Sequence, residues 1–168
     1  MKLVETLLIT QNGIRNKPQI TSMTDFVESG GFFTAESMLE FIGKPQPLIA
    51  ISRFPDGLEY IHDGHHRALA MYLGGRREMH NDEYEVSEWS YDQYVNPNFA
   101  LRFLTPFDPR KEIRLFDFGE YRKQIHQLLG AGKSEEELIL FMKLNSQLFK
   151  VPRGGMHRIR DIARQLLV

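Results

Sequence analysis

Cysteine is absent from all 168 residues of the chain. Disulfides, thiolate metal sites and cysteine nucleophiles are excluded with it. No stretch approaches the ~20 consecutive apolar residues of a membrane-spanning helix, and Glu5 breaks the apolar run of residues 1–10, unlike a secretory leader. A cytoplasmic protein with no membrane partner is expected. Internal repeats and low-complexity tracts are missing too, which excludes solenoid and fibrous architectures.

What the chain does have is ordinary: 42% hydrophobic residues, 26% charged residues and a mean hydropathy of -0.36. Such values sit near those of folded soluble domains, and the length suits one globular unit with at most a helical extension. Charge is distributed unevenly. Residues 1–109 carry 9 Lys/Arg against 15 Asp/Glu and residues 110–168 carry 12 against 7, so that -6 and +5 give the chain its net -1. The basic C-terminal part suits either contact with phosphate or nucleic acid, or packing against the acidic part that precedes it.

Local patterns predict the elements. Residues 3–10 form an apolar strand ended by the turn signal Gln11-Asn12-Gly13, and a loop with Lys17 and Pro18 follows. Between residues 22 and 42 the apolar positions recur at helical spacing, interrupted at Gly30-Gly31, which predicts two short helices. Residues 47–54 and 58–62 are the arms of a hairpin turning at Asp56-Gly57. Asp63-Gly64 then turns the chain tightly into a helix that runs to Leu73 and is closed by Gly74-Gly75. Residues 84–89 suit a further strand. Pro97, Pro106 and Pro109 punctuate an aromatic-rich connection with Phe99, Phe103 and Phe107, and the domain boundary is placed at its end, between 1–109 and 110–168. Helices are expected over 116–129, 134–149 and 156–167, the second opened by Ser134 and Glu137 as a capping box, which makes the C-terminal third all-helical. The fold class is α+β: a small mixed sheet with helices, followed by an all-helical C-terminal extension.

The chemistry concentrates in the run Asp63-Gly64-His65-His66-Arg67. A tight turn after a strand delivers these residues to a helix start, where unpaired N–H groups and the positive end of the helix dipole favour an anion. Gly64 lets the backbone approach a ligand closely. His65, His66 and Arg67 add donors, Arg67 with the planar fork that matches phosphate oxygens. The blander alternative makes Asp63 a helix N-cap and the histidines first-turn surface residues. Three cationic or potentially cationic groups at a helix start are unfavourable without an anion, which speaks for the phosphate. A transition-metal site fits less well, since adjacent residues at a helix start diverge and no spaced third histidine accompanies them.

The run 61–70, Ile-His-Asp-Gly-His-His-Arg-Ala-Leu-Ala, followed by Leu73-Gly74, resembles the second signature box of the ParB N-terminal/sulfiredoxin-like superfamily. There a strand leads into a G-x-H-R, GERRxRA or DGxHR turn that binds nucleotide phosphates. The DGxHR type is similar to that of free serine kinases of this fold and of proteins described as having a ParB-like nuclease domain. The resemblance covers about residues 3–90, and it places Thr10-Gln11 and Lys17 at a second short motif of the same pocket. The GERRxRA pattern is absent, so CTP-gated clamp behaviour is not implied. Sulfiredoxin's own box needs a cysteine, so peroxiredoxin repair is excluded.

The resemblance implies a nucleotide- or phosphate-binding protein, with ATP or another nucleotide and Mg²⁺ as cofactors and phosphoryl transfer to a small hydroxyl-bearing acceptor as one activity. In that reading Gly64, His66 and Arg67, with Gln11 and Lys17 from the opposite wall, bind the cofactor. Asp63, His65, His66 and Glu5 are the catalytic candidates: a histidine contacts phosphate or shuttles a proton, Asp63 holds Mg²⁺ or orients a histidine, and Asp63 or Glu5 acts as base. Glu5 reads more readily as a solvent-facing strand residue than as a base. The alternative is a DNA-associated ParB-like module, a nucleotide switch or nuclease, whose Arg153, Arg158, Arg160 and Arg164 contact nucleic acid. A protein that keeps the fold as a mere binding or structural unit is the third reading.

Overall fold

The hairpin comes from local chemistry. In the computed structural model, β4 (Ile49–Arg53) and β5 (Glu59–Asp63) pair antiparallel. Between them the Phe54 N–H bonds the Leu58 carbonyl, and the Asp56 carboxylate accepts from the Leu58 N–H. The structure describes residues 2–10, 13–14, 16–90, 113–114, 127, 130–134, 136–137, 140 and 157–166.

The expected single strand over 3–10 is divided. A turn in which the Leu7 N–H bonds the Val4 carbonyl at 3.2 Å separates β1 (Lys2–Leu3) from β2 (Leu8–Ile9). The two halves then serve different sheets, β1 pairing antiparallel with β6 (Glu78–Met79) and β2 parallel with β5. A four-stranded mixed sheet results, in the order β2-β5-β4-β7, with β7 (Tyr84–Glu88) parallel to β4. The short β3 (Gly13–Ile14) pairs with β8 (Ile113–Arg114).

Lys17 and Pro18 belong to a helix, not to a loop: α1 runs Lys17–Glu28 behind Asn16, whose side chain accepts from the Gln19 N–H. Proline at a helix start loses no hydrogen bond, so Asn16-Lys17-Pro18 is a start signal. The glycines at 30 and 31 do separate two helices, α2 covering Ala35–Ile42 behind the Thr34 cap. α3 spans His65–Leu73.

Ile9, Ile49, Ile51 and Ile61 from the strands meet Ile20, Met23 and Val27 of α1 and Ala68 to Met71 of α3 in one apolar core. α4 (Ile159–Leu166) joins it, with Ile159, Ile162 and Ala163 fully buried. Ahead of α4 the chain lies along β2: the Ile9 N–H bonds the His157 carbonyl and the Ile159 N–H bonds the Leu7 carbonyl, both at 3.0 Å. The end of the expected 110–168 extension thus shares the core of the first part. Nor is that extension helical throughout, because β-branched Ile113 lies in β8, where pairing with β3 satisfies its backbone. The Ser134 hydroxyl accepts from the Glu137 N–H, the forward half of a capping box. Most of 116–129 and 134–149, and all of the proline-punctuated connection with Phe99, Phe103 and Phe107, lie outside the described residues. Among the described residues no helix is long and apolar enough to cross a membrane.

Glu83 ties these elements together. Its carboxylate, 0% exposed, accepts from Arg76 Nη1 and Nη2 at 2.6 and 2.8 Å, from the Phe33 N–H at 2.7 Å and from the His80 N–H at 2.9 Å. Arg76 is itself stacked over the Phe32 ring at 4.5 Å. Removing one partner of a buried pair leaves the other charge uncompensated, at a cost of ~3–5 kcal/mol. Glu83→Ala should lose that much in urea unfolding, and Glu83→Gln, which keeps the shape and some acceptor capacity, should lose less.

Candidate functional site

The turn from β5 into α3 is built around a position that admits only glycine. Gly64 has φ 97°, and a Cβ there would stand 2.9 Å from Ile49 Cγ1 and 3.2 Å from Ile49 Cα. Gly64, not Asp63, is the residue that caps α3, and it has no side chain to do so. Asp63 bonds its neighbour instead, its Oδ1 accepting from the Gly64 N–H at 2.9 Å. The first-turn amides of α3 have no partner within the helix, and no acidic residue follows in its first turn.

His65 and His66 reach across to the segment between β2 and α1. His65, only 1% exposed, accepts at Nε2 from the Thr10 N–H at 3.1 Å, and His66 Nε2 accepts from the Asn16 N–H at 3.2 Å. Each ring is therefore neutral at that nitrogen in this arrangement. Thr10 is buried as well, its hydroxyl donating to the Ile61 carbonyl at 2.7 Å.

Arg67 turns back beneath the turn. Its Nη1 donates to the Pro47 carbonyl at 2.6 Å, and its Nη2 lies 3.9 Å from Asp63 Oδ2. The side chain is 7% exposed and that of Asp63 is 49% exposed. Burial pulls the guanidinium below its ordinary value, while Asp63 acts in the opposite sense. Beside these groups lies a cavity of about 160 Å³, which Gly64, His65, His66 and Arg67 share with Gln19 and Met23 of α1 and Met38 of α2.

No family model, curated protein or solved structure matches the chain. The ParB/sulfiredoxin resemblance thus rests on the residue run 61–70 and on the strand–turn–helix around it.

Of the residues singled out from sequence, Asp63, Gly64, His65, His66 and Arg67 line one cavity. Lys17 begins α1, the helix that contributes Gln19 and Met23 to the same cavity. Glu5 is not brought there: it lies in the turn ahead of β2, and because β2 runs parallel to β5 this is the end of the sheet opposite Gly64. Gln11 is outside the described residues. Among the described residues no group of three or more His, Asp or Glu side chains is placed to hold a metal ion.

The C-terminal arginines are partly committed. Arg158 Nη1 donates to the Thr6 carbonyl at 2.5 Å, and Asp161 stands between Arg160 and Arg164 at 4.0 and 3.9 Å. Arg153 is outside the described residues.

Asn16, Gln19, Pro47 and Met38 were not legible as site residues. Only Asn16-Lys17-Pro18 carried a local signal, the helix start that would have placed Gln19 one turn in.

Two outcomes follow. Gly57, with φ 82° and open space around its Cβ, should lose only the ~1–2 kcal/mol of a left-handed alanine when replaced, whereas Gly64→Ala should lose more in the same urea titration, because Ile49 blocks the new methyl. The second concerns His62, which burial pulls below the usual imidazole value, against the smaller opposing effect of Asp63. The unfolded chain takes up this proton near pH 6.5 and the folded chain only lower, so the stability tied to His62 is intact above ~6.5 and declines as pH falls through the window beneath. His62→Asn should lose less stability than the unmutated protein between about pH 7.5 and about pH 5.5.

Proposed function

We propose that the protein binds a phosphate group at the β5–α3 turn, carried by ATP, another nucleotide or a small phosphate ester, and that it serves phosphoryl transfer to a small hydroxyl substrate. The observation that carries this reading is the state of Arg67: a guanidinium almost wholly removed from water, at the positive end of a helix, with its described carboxylate partner 3.9 Å away. A buried cation is costly unless it is closely paired, and the dipole of α3 adds to that cost. An anion in the adjoining cavity would offset both.

In this reading Arg67 and the α3 amides hold the phosphate oxygens and stabilise charge that develops on them. His66 is the candidate proton carrier, and His65 is a positioning residue that holds Thr10 against the turn. Asp63 is the carboxylate available to Mg²⁺ arriving with the phosphates, an ion that would neutralise charge on the transferring group. Pockets that enclose a drug-sized ligand measure about 300–1,000 Å³. A cavity of about 160 Å³ suits the terminal phosphate of a nucleotide, with the nucleoside left outside. The nucleic-acid reading of Arg153, Arg158, Arg160 and Arg164 and the nuclease reading have no comparable observation in their favour.

A thermal-shift screen of ATP, ADP, CTP, GTP and sugar phosphates, with and without Mg²⁺, tests the site, since a ligand present at 100 times its Kd stabilises by ~2.7 kcal/mol. The best ligand should bind about ten- to a hundredfold more weakly to Arg67→Met, the loss of a charge-assisted hydrogen bond being worth ~1.5–3 kcal/mol. Circular dichroism checks that the variant is folded. Unchanged affinity in folded Arg67→Met would remove the phosphate reading, and binding without transfer to any hydroxyl compound would leave a binding protein in place of an enzyme.

A further inference from the structure

The cavity beside Gly64 offers a ligand polar groups and little else. Met23 and Met38 border it but are 2% and 1% exposed, so they lend it almost no surface. Two half-buried carboxamides share the lining instead, Gln19 in the first turn of α1 and Gln46 in the segment that leads to β4. Among the described residues neither side-chain amide is engaged in a hydrogen bond. Asp63 adds a carboxylate that is 49% exposed. The oxygens of a phosphate dianion only accept hydrogen bonds. The amide oxygens of Gln19 and Gln46 and the Asp63 carboxylate, which also only accept, therefore suit another part of the ligand, one with hydrogens to donate.

That part is uncharged. The first turns of α1 and α3 both line the cavity, and neither contains an acidic residue. Two helix dipoles and the Arg67 guanidinium thus disfavour an ammonium group. Asp63 offsets this only in part, since it already accepts from the Gly64 N–H and stands 3.9 Å from Arg67. A hydroxyl group carries no charge to be repelled, and it donates and accepts as a carboxamide does. Size narrows the choice. At roughly 30 Å³ per water, about 160 Å³ is the space of about five waters, which suits a chain of two or three carbons with its hydroxyls.

Taking the phosphate reading of this site as its basis, we infer that the phosphoryl acceptor is a small polyol, held through its further hydroxyls by the carboxamides of Gln19 and Gln46. In the transfer one hydroxyl oxygen forms the new bond to the terminal phosphorus of ATP. The bond from that phosphorus to the ADP oxygen breaks, ADP keeps the electron pair, and the hydroxyl proton passes to His66. Gln19 and Gln46 are then specificity residues that touch the acceptor's carbon-bound hydroxyls and not the phosphate.

The experiment is calorimetric titration of the full chain with inorganic phosphate, propyl phosphate, aminoethyl phosphate and glycerol phosphate. Glycerol phosphate should bind about tenfold more tightly than propyl phosphate, and aminoethyl phosphate should gain nothing over it. Gln46→Leu and Gln19→Leu change half-buried side chains, and circular dichroism checks that each variant is folded. Each should weaken glycerol phosphate about three- to tenfold, towards the level of propyl phosphate, which both variants still bind. Equal binding of propyl and glycerol phosphate, a preference for aminoethyl phosphate, or a preference for glycerol phosphate that survives in both folded variants overturns this inference and leaves the phosphate site standing. Failure of inorganic phosphate and of every ester to bind overturns the phosphate reading and this inference together.

Discussion

The buried carboxylate of Glu83 is the constraint on which the rest of the arrangement depends. Its two oxygens take four hydrogen bonds, from the joint between α1 and α2, from the β6–β7 turn and from the chain leaving α3. The chain between α3 and β7 is thereby tied at one point to the joint between α1 and α2, 50 residues away. The backbone of the same residue takes the Ile49 N–H at 3.0 Å and so fixes the start of β4. Charge buried at this depth is tolerable only because the bidentate Arg76 fork and two amides satisfy it.

The site inherits its precision from that anchor. Segment 47–49 is gripped on one side by Glu83 and on the other by Arg67, which bonds the Pro47 carbonyl. Ile49 in turn lies so close to Gly64 that a single methyl group would not fit. A left-handed glycine, a buried arginine and a strand start are thus one mechanical unit. The two histidines extend it to the β2–α1 segment, where their neutral nitrogens take backbone N–H groups. What that unit presents to the cavity is Gly64, the two histidines, the Arg67 side chain and the Asp63 carboxylate.

Arg67 shows how a local argument can find the right residue and miss its geometry. A cation at a helix start reads as a ligand for an external anion, and the electrostatic cost behind that argument is present in the structure. The guanidinium nonetheless points inward, where its first obligation is to Pro47. The histidines likewise read as donors and stand as acceptors, because the amides they meet lie 55 and 50 residues away. Glu5 shared the N-terminal run with Thr10, yet a turn and the parallel pairing of β2 with β5 separate them to opposite ends of the sheet.

What the sequence by itself determined is what neighbouring residues decide. The hairpin at Asp56-Gly57, the glycine joint between α1 and α2, the turn at Gly64 and the α+β class all follow from backbone freedom and from apolar periods of two and 3.6 residues. Tertiary structure decided the rest. The division of residues 3–10 between two sheets, the placing of Ile159 in the core, the bond from Phe33 to Glu83 and the placing of Met38 and Gly64 at one cavity depend on contacts across tens of residues. No local pattern encodes such contacts, because their free energy appears only when the sheet and helices close on one core.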